Sequence, residues 1–152
     1  MGGGGITGLN GVRLTPLATI AGSQGAVMHV MTSAGPGFHG FGEAYFTTVD
    51  EGAVKGWKLH EQLVCNLVVP VGAVRFVLYD DREGSASRGQ FEEAVLSPDD
   101  YRRLTIPNGV WFAFQGRAHG LNLVLNLANI AHVDGEQRSL PLENDLIPPY
   151  AF

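Results

Sequence analysis

Cys65 is the sole cysteine of the chain, which excludes an intrachain disulfide and a cysteine-rich metal site. Basic charge is also short. The formal net charge is −5 at pH 7, whereas a nucleic-acid surface needs a basic face to hold phosphates. That balance still leaves room for one small basic pocket able to hold a diphosphate. No apolar run approaches the ~18–20 residues of a membrane span, and the N-terminal residues carry no signal-peptide pattern. The expectation is a soluble cytoplasmic protein with neither a membrane nor a nucleic acid as partner. Long 3.6-residue periodicity is missing too, which argues against a helical domain. Charged residues make up only 16%, yet 45% of the chain is hydrophobic, a globular and not a disordered composition.

What is plentiful is punctuation: 21 glycines and 8 prolines break the chain into short apolar runs, the pattern of many strands joined by tight turns. The 152 residues fit one domain, which at that size would bury roughly two-thirds of its unfolded surface. We therefore expect a single domain over 1–152, with a flexible glycine-rich lead-in over 1–5. Strands are predicted at 12–17, 26–32, 41–48, 53–60, 63–69, 74–80, 91–96, 103–106, 111–115 and 122–129. Turn signals lie at 33–37, 50–52, 70–72, 82–89, 107–109 and 115–120. Ser97-Pro98-Asp99-Asp100 has a serine cap, a first-turn proline and two acids, and predicts one helical turn. Strands at this spacing suggest a sandwich or barrel.

The strand at 53–60 contains Lys55-Gly56-Trp57-Lys58-Leu59-His60. Strand alternation puts Lys58, His60 and Gln62 on one face and Trp57 and Leu59 on the other. If the polar set faces a barrel interior, its low-dielectric surroundings would depress the lysine pKa. Such a pair would be able to abstract a proton next to a carbonyl or stabilise the enolate that results. The same spacing also fits a solvent-exposed face whose polar residues only keep a strand soluble.

A resemblance appears at this motif. The stretch from Val54 to His60 resembles the Arg-Gly-x-His strand of the dTDP-4-dehydrorhamnose 3,5-epimerases, and more closely the Arg-Gly-x-His-Ala-His strand of the dTDP-sugar 3,4-ketoisomerases. Val74-Arg75-Phe76-Val77-Leu78-Tyr79-Asp80-Asp81-Arg82 is similar to the epimerase strand that ends in Asp-x-Arg. The segment from Leu96 to Gly109, with Leu96-Ser97-Pro98-Asp99-Asp100 and Leu104-Thr105-Ile106-Pro107-Asn108-Gly109, resembles the family's Leu-Ser-x-Glu-Asn-x-x-x-Leu-x-Ile-Pro-x-Gly. The resemblance implies an all-β fold, the double-stranded β-helix or cupin jelly roll. It also implies a homodimer that exchanges N-terminal strands, an expectation to which the apolar stretch 63–74 adds.

The departures from the family pattern are specific. Lys58 stands where the epimerases carry their histidine base, Asn126 where they carry a tyrosine acid, and Phe112 where a later histidine falls. The resemblance also implies that the chain stops before the region that supplies the aspartate partner of the base. His60 fits the second histidine of the ketoisomerase motif, Tyr45 resembles a tyrosine in the preceding strand, and Leu127-Ala128-Asn129-Ile130 resembles their Leu-Ala-Ser segment. Many cupins carry His-x-His, then Glu, then a late His, a set suited to iron, manganese or zinc. Here Lys58, Asn66 and Phe112 fall at or near three of those positions, so no metal is expected.

The candidate catalytic residues are His60 as base, with Lys58 and Tyr45 delivering or stabilising charge. Candidate substrate contacts are Lys55, at the family's arginine position and facing a diphosphate, with Asn66, Arg82, Arg103, Phe112, Asn126 and His132. Arg82 and Arg103 serve equally well as surface cations or structural ion pairs. Trp57 and Trp111 are expected in the core or at a dimer interface, and His29 as a structural histidine in an apolar strand. His39 and His119 are expected in exposed loops, and Asp80 and Asp81 as strand and turn closers. The expected function is an epimerase or ketoisomerase acting on a nucleotide-linked 4-keto sugar, in surface-polysaccharide or deoxysugar synthesis. It needs no cofactor, because the keto group already acidifies its neighbouring C–H bonds. The other reading is a catalytically inactive sugar-binding or interaction domain on the same scaffold.

Overall fold

The computed structural model describes residues 5–6 and 8–152. Residues 1–4 of the expected lead-in lie outside the described residues. Among the described residues the chain is all-β, with thirteen strands and no helix. They are β1 (Gly5–Ile6), β2 (Arg13–Pro16), β3 (Thr19–Gly22), β4 (Gly25–Met28), β5 (Glu43–Thr48), β6 (Val54–His60) and β7 (Cys65–Val71). There follow β8 (Val74–Asp80), β9 (Phe91–Leu96), β10 (Arg102–Ile106), β11 (Val110–Gly116), β12 (Leu123–Ala128) and β13 (Gln137–Ser139). One sheet runs β1-β2-β10-β7-β12-β5, a second runs β13-β6-β11-β8-β9, and β3 and β4 form a hairpin of their own. Strand pairing is antiparallel throughout. The two large sheets face each other as a cupin jelly roll.

The alternation of side chains explains how the layers close. On β8, Phe76 and Leu78 enter the core between the sheets with Phe112 and Phe114 of β11 and with Leu67, Leu104, Ile106 and Val124 of the facing sheet. The opposite parity, Val77 and Tyr79, joins Trp57, Leu59, Trp111 and Ala113 in a second apolar layer outside the second sheet. The C-terminal segment covers that layer with Leu140, Ile147, Tyr150 and Phe152. Arg75 pins the segment down: it pairs with Glu93, donates to the Ala151 carbonyl, and lies 5.6 Å from the Tyr150 ring. Strands β8 and β11 are thus covered on both faces, which is why they read as nearly unbroken apolar runs. The stretch 63–74 is largely buried within its own chain in the same way. Among the described residues no helix is long and apolar enough to cross a membrane.

Several expectations change. The helical turn at Ser97 is a tight turn between β9 and β10, bridged from Ser97 to Asp100. Its capping bond does form, with the Asp100 N–H donating to Ser97 Oγ at 3.2 Å, but the chain enters β10 at Arg102 before a helix can propagate. The strand expected over 26–32 is only β4, which pairs with β3 alone, so Ile20 and Val27 stay exposed. His29 lies beyond that strand and is exposed, not a buried structural histidine. The short strands β1, β3 and β13 were not legible from periodicity.

The loop before β5 is held against the first sheet at Gly37, whose φ of +82° suits glycine alone. A Cβ there would stand 2.4 Å from Thr105 Oγ1, which itself donates to Asn66 Oδ1. Gly37→Ala is expected to lose about 1–3 kcal/mol from the left-handed backbone and the displaced hydroxyl together. A lowered urea midpoint at unchanged slope would show it; an unchanged midpoint would mean that this loop is not fixed by the contact.

Candidate functional site

The face of β6 that turns between the sheets carries Lys58 and His60, while Trp57 and Leu59 point outward, as alternation requires. Gln62 does not share that face. β6 ends at His60, and Gln62 is exposed in the following bend. The register against β11 breaks between Phe112↔Lys58 and Phe114↔Lys55, which leaves one extra residue on β6. A bulge of this kind turns two successive residues to one side. Gly56 and Trp57 both face outward, since a Cβ on Gly56 would meet Leu140 and Leu142. Lys55 is thereby rotated inward, where its ammonium donates to Thr47 Oγ1 at 2.8 Å and lies 6.0 Å from the Phe114 ring.

Lys58 and His60 border a half-closed cavity of about 40 Å³, with Lys55 alongside. Leu67, Phe112, Phe114 and Val124 supply apolar walls, and Tyr45, Thr47, Lys58, His60 and Asn126 supply the polar groups. Two apolar sheets with a few convergent polar groups make a site of the kind that binds small molecules.

His60 is the best-supported of these groups. Its Nδ1–H donates to Glu136 Oε1 at 2.7 Å, and the two side chains are 8% and 2% exposed. Glu136 Oε2 accepts from the backbone N–H groups of Gln62 and Leu63, at 3.2 and 3.1 Å. Burial alone would raise the Glu136 pKa, but these hydrogen bonds outweigh it and hold the carboxyl below its ordinary value. An ionised Glu136 accepts only, so the neutral form of the ring carries its proton on Nδ1 and its lone pair on Nε2. Phe112 stacks on the imidazole, with centroids 6.1 Å apart. The expectation that the chain ends before a carboxylate partner is thus corrected: Glu136 supplies one, 76 residues after the histidine. The signal that marks it is Asp134-Gly135, a turn pair followed by an extended run that becomes β13 and pairs Gln137 with His60.

Across the cavity, Asn126 Nδ2 donates to Tyr45 Oη at 3.0 Å, which leaves the phenol its own proton to give. Burial, the largest effect, raises the Tyr45 pKa above its usual value, so the hydroxyl stays protonated. Asn126 Oδ1 is buried without a hydrogen-bond partner among the described residues. Cys65, behind Asn126, is buried and its thiol is pushed up to about 12, which makes it inert. Lys58 is lowered from the ordinary lysine value by burial first and by the charge of Lys55 second.

Of the residues singled out from sequence, the structure brings together Tyr45, Lys58, His60, Phe112 and Asn126, with Lys55 alongside. The others lie elsewhere. Arg82 is engaged by Asp80 at the end of β8 and donates to the Asn10 carbonyl. Arg103 is buried on the far side of the first sheet, donating to the carbonyls of Val30 and Pro36. Asn66 faces that same side, donating to the Gly37 carbonyl at 2.9 Å. His132 is exposed beside Asp134. Among the described residues no three His, Cys, Asp or Glu side chains converge. The wall beside His60 carries an ammonium and a phenyl ring, which is not a donor set for a metal.

Comparison with known proteins places this geometry. No protein-family model matches the chain. The chain is 37% identical to a dTDP sugar isomerase from Desulfovibrio desulfuricans, over 95% of this chain and 93% of that one, with a TM-score of 0.90. A 3′-monoepimerase from Streptomyces bikiniensis, solved with dTDP-quinovose, shares the fold at 17% identity and a TM-score of 0.81, over 100% of this chain and 83% of that one. A probable low-salt glycan biosynthesis epimerase of Haloferax volcanii is 27% identical over 84 residues, 55% of this chain and 54% of that protein. The chain spans about half the length of the curated relatives it matches.

Proposed function

The chain belongs to the dTDP-sugar isomerase and epimerase family of cupins, and on that footing we propose that it is an epimerase or ketoisomerase of a nucleotide-linked 4-keto sugar. The observation that carries this reading is the buried His60–Glu136 pair opening on a cavity that also holds Lys58 and Tyr45. His60 Nε2 takes a ring proton next to the keto group. Glu136 holds the imidazole in the tautomer that this step requires and stabilises the positive ring that results. Lys58, on the same strand, offsets the charge that develops at the former carbonyl, and Tyr45 on the facing wall donates a proton back to carbon or oxygen. Lys55 is placed to contact the diphosphate as a point charge. The step is a proton transfer and consumes no oxidant or reductant.

The protein acts as a cytoplasmic homodimer in surface-polysaccharide or deoxysugar synthesis on this reading. The solitary β3–β4 hairpin supports the dimer, because an isolated hairpin with Ile20 and Val27 56% and 59% exposed is marginal unless a second chain covers it. Proton NMR in D2O with dTDP-linked 4-keto sugars tests the function. A protein-dependent loss of the C3 or C5 proton signal is expected; loss at C5 marks epimerisation, and where only C3 exchanges the carbonyl carbon's position in the product separates epimerisation from keto transfer. Line broadening without exchange would instead support a binding domain.

A further inference from the structure

Lys55 and Lys58 are the only lysines in the sequence, and the fold brings both to one cavity. They are held differently. The Lys55 ammonium is fixed on Thr47, whereas no described residue gives the Lys58 nitrogen a hydrogen bond or an ion pair. Among the described residues no carboxylate lines the cavity, and Glu136 spends its oxygens on His60 and the backbone of residues 62–63. An ammonium on an apolar wall, beside a second cation and with no carboxylate in the cavity lining, is less stable than it is in water. The lowered pKa of Lys58 agrees with that geometry. The deprotonated form of such an amine is a nucleophile toward a ketone bound in the cavity, and a desolvated lysine next to another cation is one of the known ways to raise its share.

We propose that Lys58 forms an imine with the keto carbon of the bound sugar, so that the proton taken by His60 is acidified by an iminium and not by the free ketone. The proposal rests on the 4-keto sugar reading above. The Lys58 Nζ lone pair adds to the carbonyl carbon, the oxygen is protonated and leaves as water, and a protonated imine results. His60 then removes the neighbouring ring proton to give an enamine. Reprotonation at carbon restores the iminium, and addition of one water breaks the C–N bond, returning the amine and the ketone. One water is released and one is taken up, and no oxidant or reductant is consumed. After burial, the charge of Lys55 adds to the lowering of the Lys58 pKa, and on this reading Lys55 also holds the diphosphate.

Reductive trapping decides the matter. The protein is incubated with a dTDP-linked 4-keto-6-deoxy sugar and sodium cyanoborohydride, and the adduct is located by intact mass and peptide mapping. The expected result is one sugar-nucleotide per chain on the peptide that contains Lys58, and none with dTDP-glucose, which lacks the ketone. Lys58→Arg should abolish the adduct, while Lys55→Arg should leave it on Lys58. The wild-type map is decisive even where a variant fails to fold. Exchange in D2O without an adduct on Lys58, or an adduct confined to Lys55 or the N-terminal amine, would overturn the lysine proposal and leave the 4-keto sugar reading standing. An adduct on Lys58 without exchange would uphold the imine and sink the proton-transfer function. Absence of both would sink both.

Discussion

His60→Asn should lower the rate of protein-dependent proton exchange in D2O by about 10²–10⁴-fold, the range that a positioned general base contributes. The carboxamide can still donate to Glu136 Oε1, so the buried carboxylate keeps a partner and the fold should survive. Glu136→Gln should fall nearly as far, by about 10²–10⁴-fold, because a neutral amide no longer demands the proton on Nδ1 and lets the ring present the wrong tautomer to the sugar. The two changes act on one unit, so the double variant should be little worse than His60→Asn alone. Multiplying losses in the double variant would mean that Glu136 serves stability and not the orientation of His60. Thermal melts of each variant, run beside the exchange assay, keep loss of fold apart from loss of chemistry.

The largest stability effect is expected at Asp80, which has no exposed surface. Its carboxylate accepts from Arg82 Nε and Nη2 at 2.9 and 3.0 Å, from the Arg82 backbone N–H at 3.0 Å, and from the hydroxyls of Ser85 and Ser87 at 2.6 and 2.5 Å. Ser87 Oγ in turn accepts from the Asn10 N–H, so one carboxylate ties the 81–90 loop to the residues before β2. Asp80→Ala leaves the Arg82 guanidinium and both hydroxyls without that partner and should cost about 3–5 kcal/mol. At this chain length that corresponds to a fall in Tm of about 6–20 °C. Burial by itself would raise the Asp80 pKa, but the Arg82, Ser85 and Ser87 hydrogen bonds prevail and hold it well below the usual range. Because the folded value is depressed, the stabilisation is fully present above the unfolded carboxylate value of about 4 and is lost as pH falls below it. The wild-type melting temperature should therefore drop on acidification below about pH 4, and Asp80→Ala should flatten that drop. A variant that melts with the wild type at neutral pH would show the cluster to be dispensable.

Much of the site was readable from local pattern. Alternation along β6 placed Lys58 and His60 on one face and Trp57 and Leu59 on the other, and the Trp57 face is indeed sealed under the C-terminal segment. The turn signals at 33–37, 50–52, 70–72 and 107–109 each hold a glycine with positive φ. Pattern failed where an extra residue or a distant partner intervened. Strict alternation sends Lys55 outward, and only the bulge against β11 turns it to Thr47. Arg82 falls on a family motif and Arg103 at a variable position within another, yet their guanidiniums are spent on carboxylate and carbonyl groups that hold loops.

The sequence by itself determined the period of each main strand, the turns between them and the polar pair on β6, because these follow from side-chain geometry over a few residues. It could not determine that Glu136 meets His60, since that contact depends on β13 pairing with β6 and on the tail that packs over Trp57. Register between strands is a property of the whole packed core, where each pairing is stabilised only once the others have formed. The tertiary structure therefore decided that both lysines face inward, which carboxylate orients the base, and that Arg82 and Arg103 hold loops.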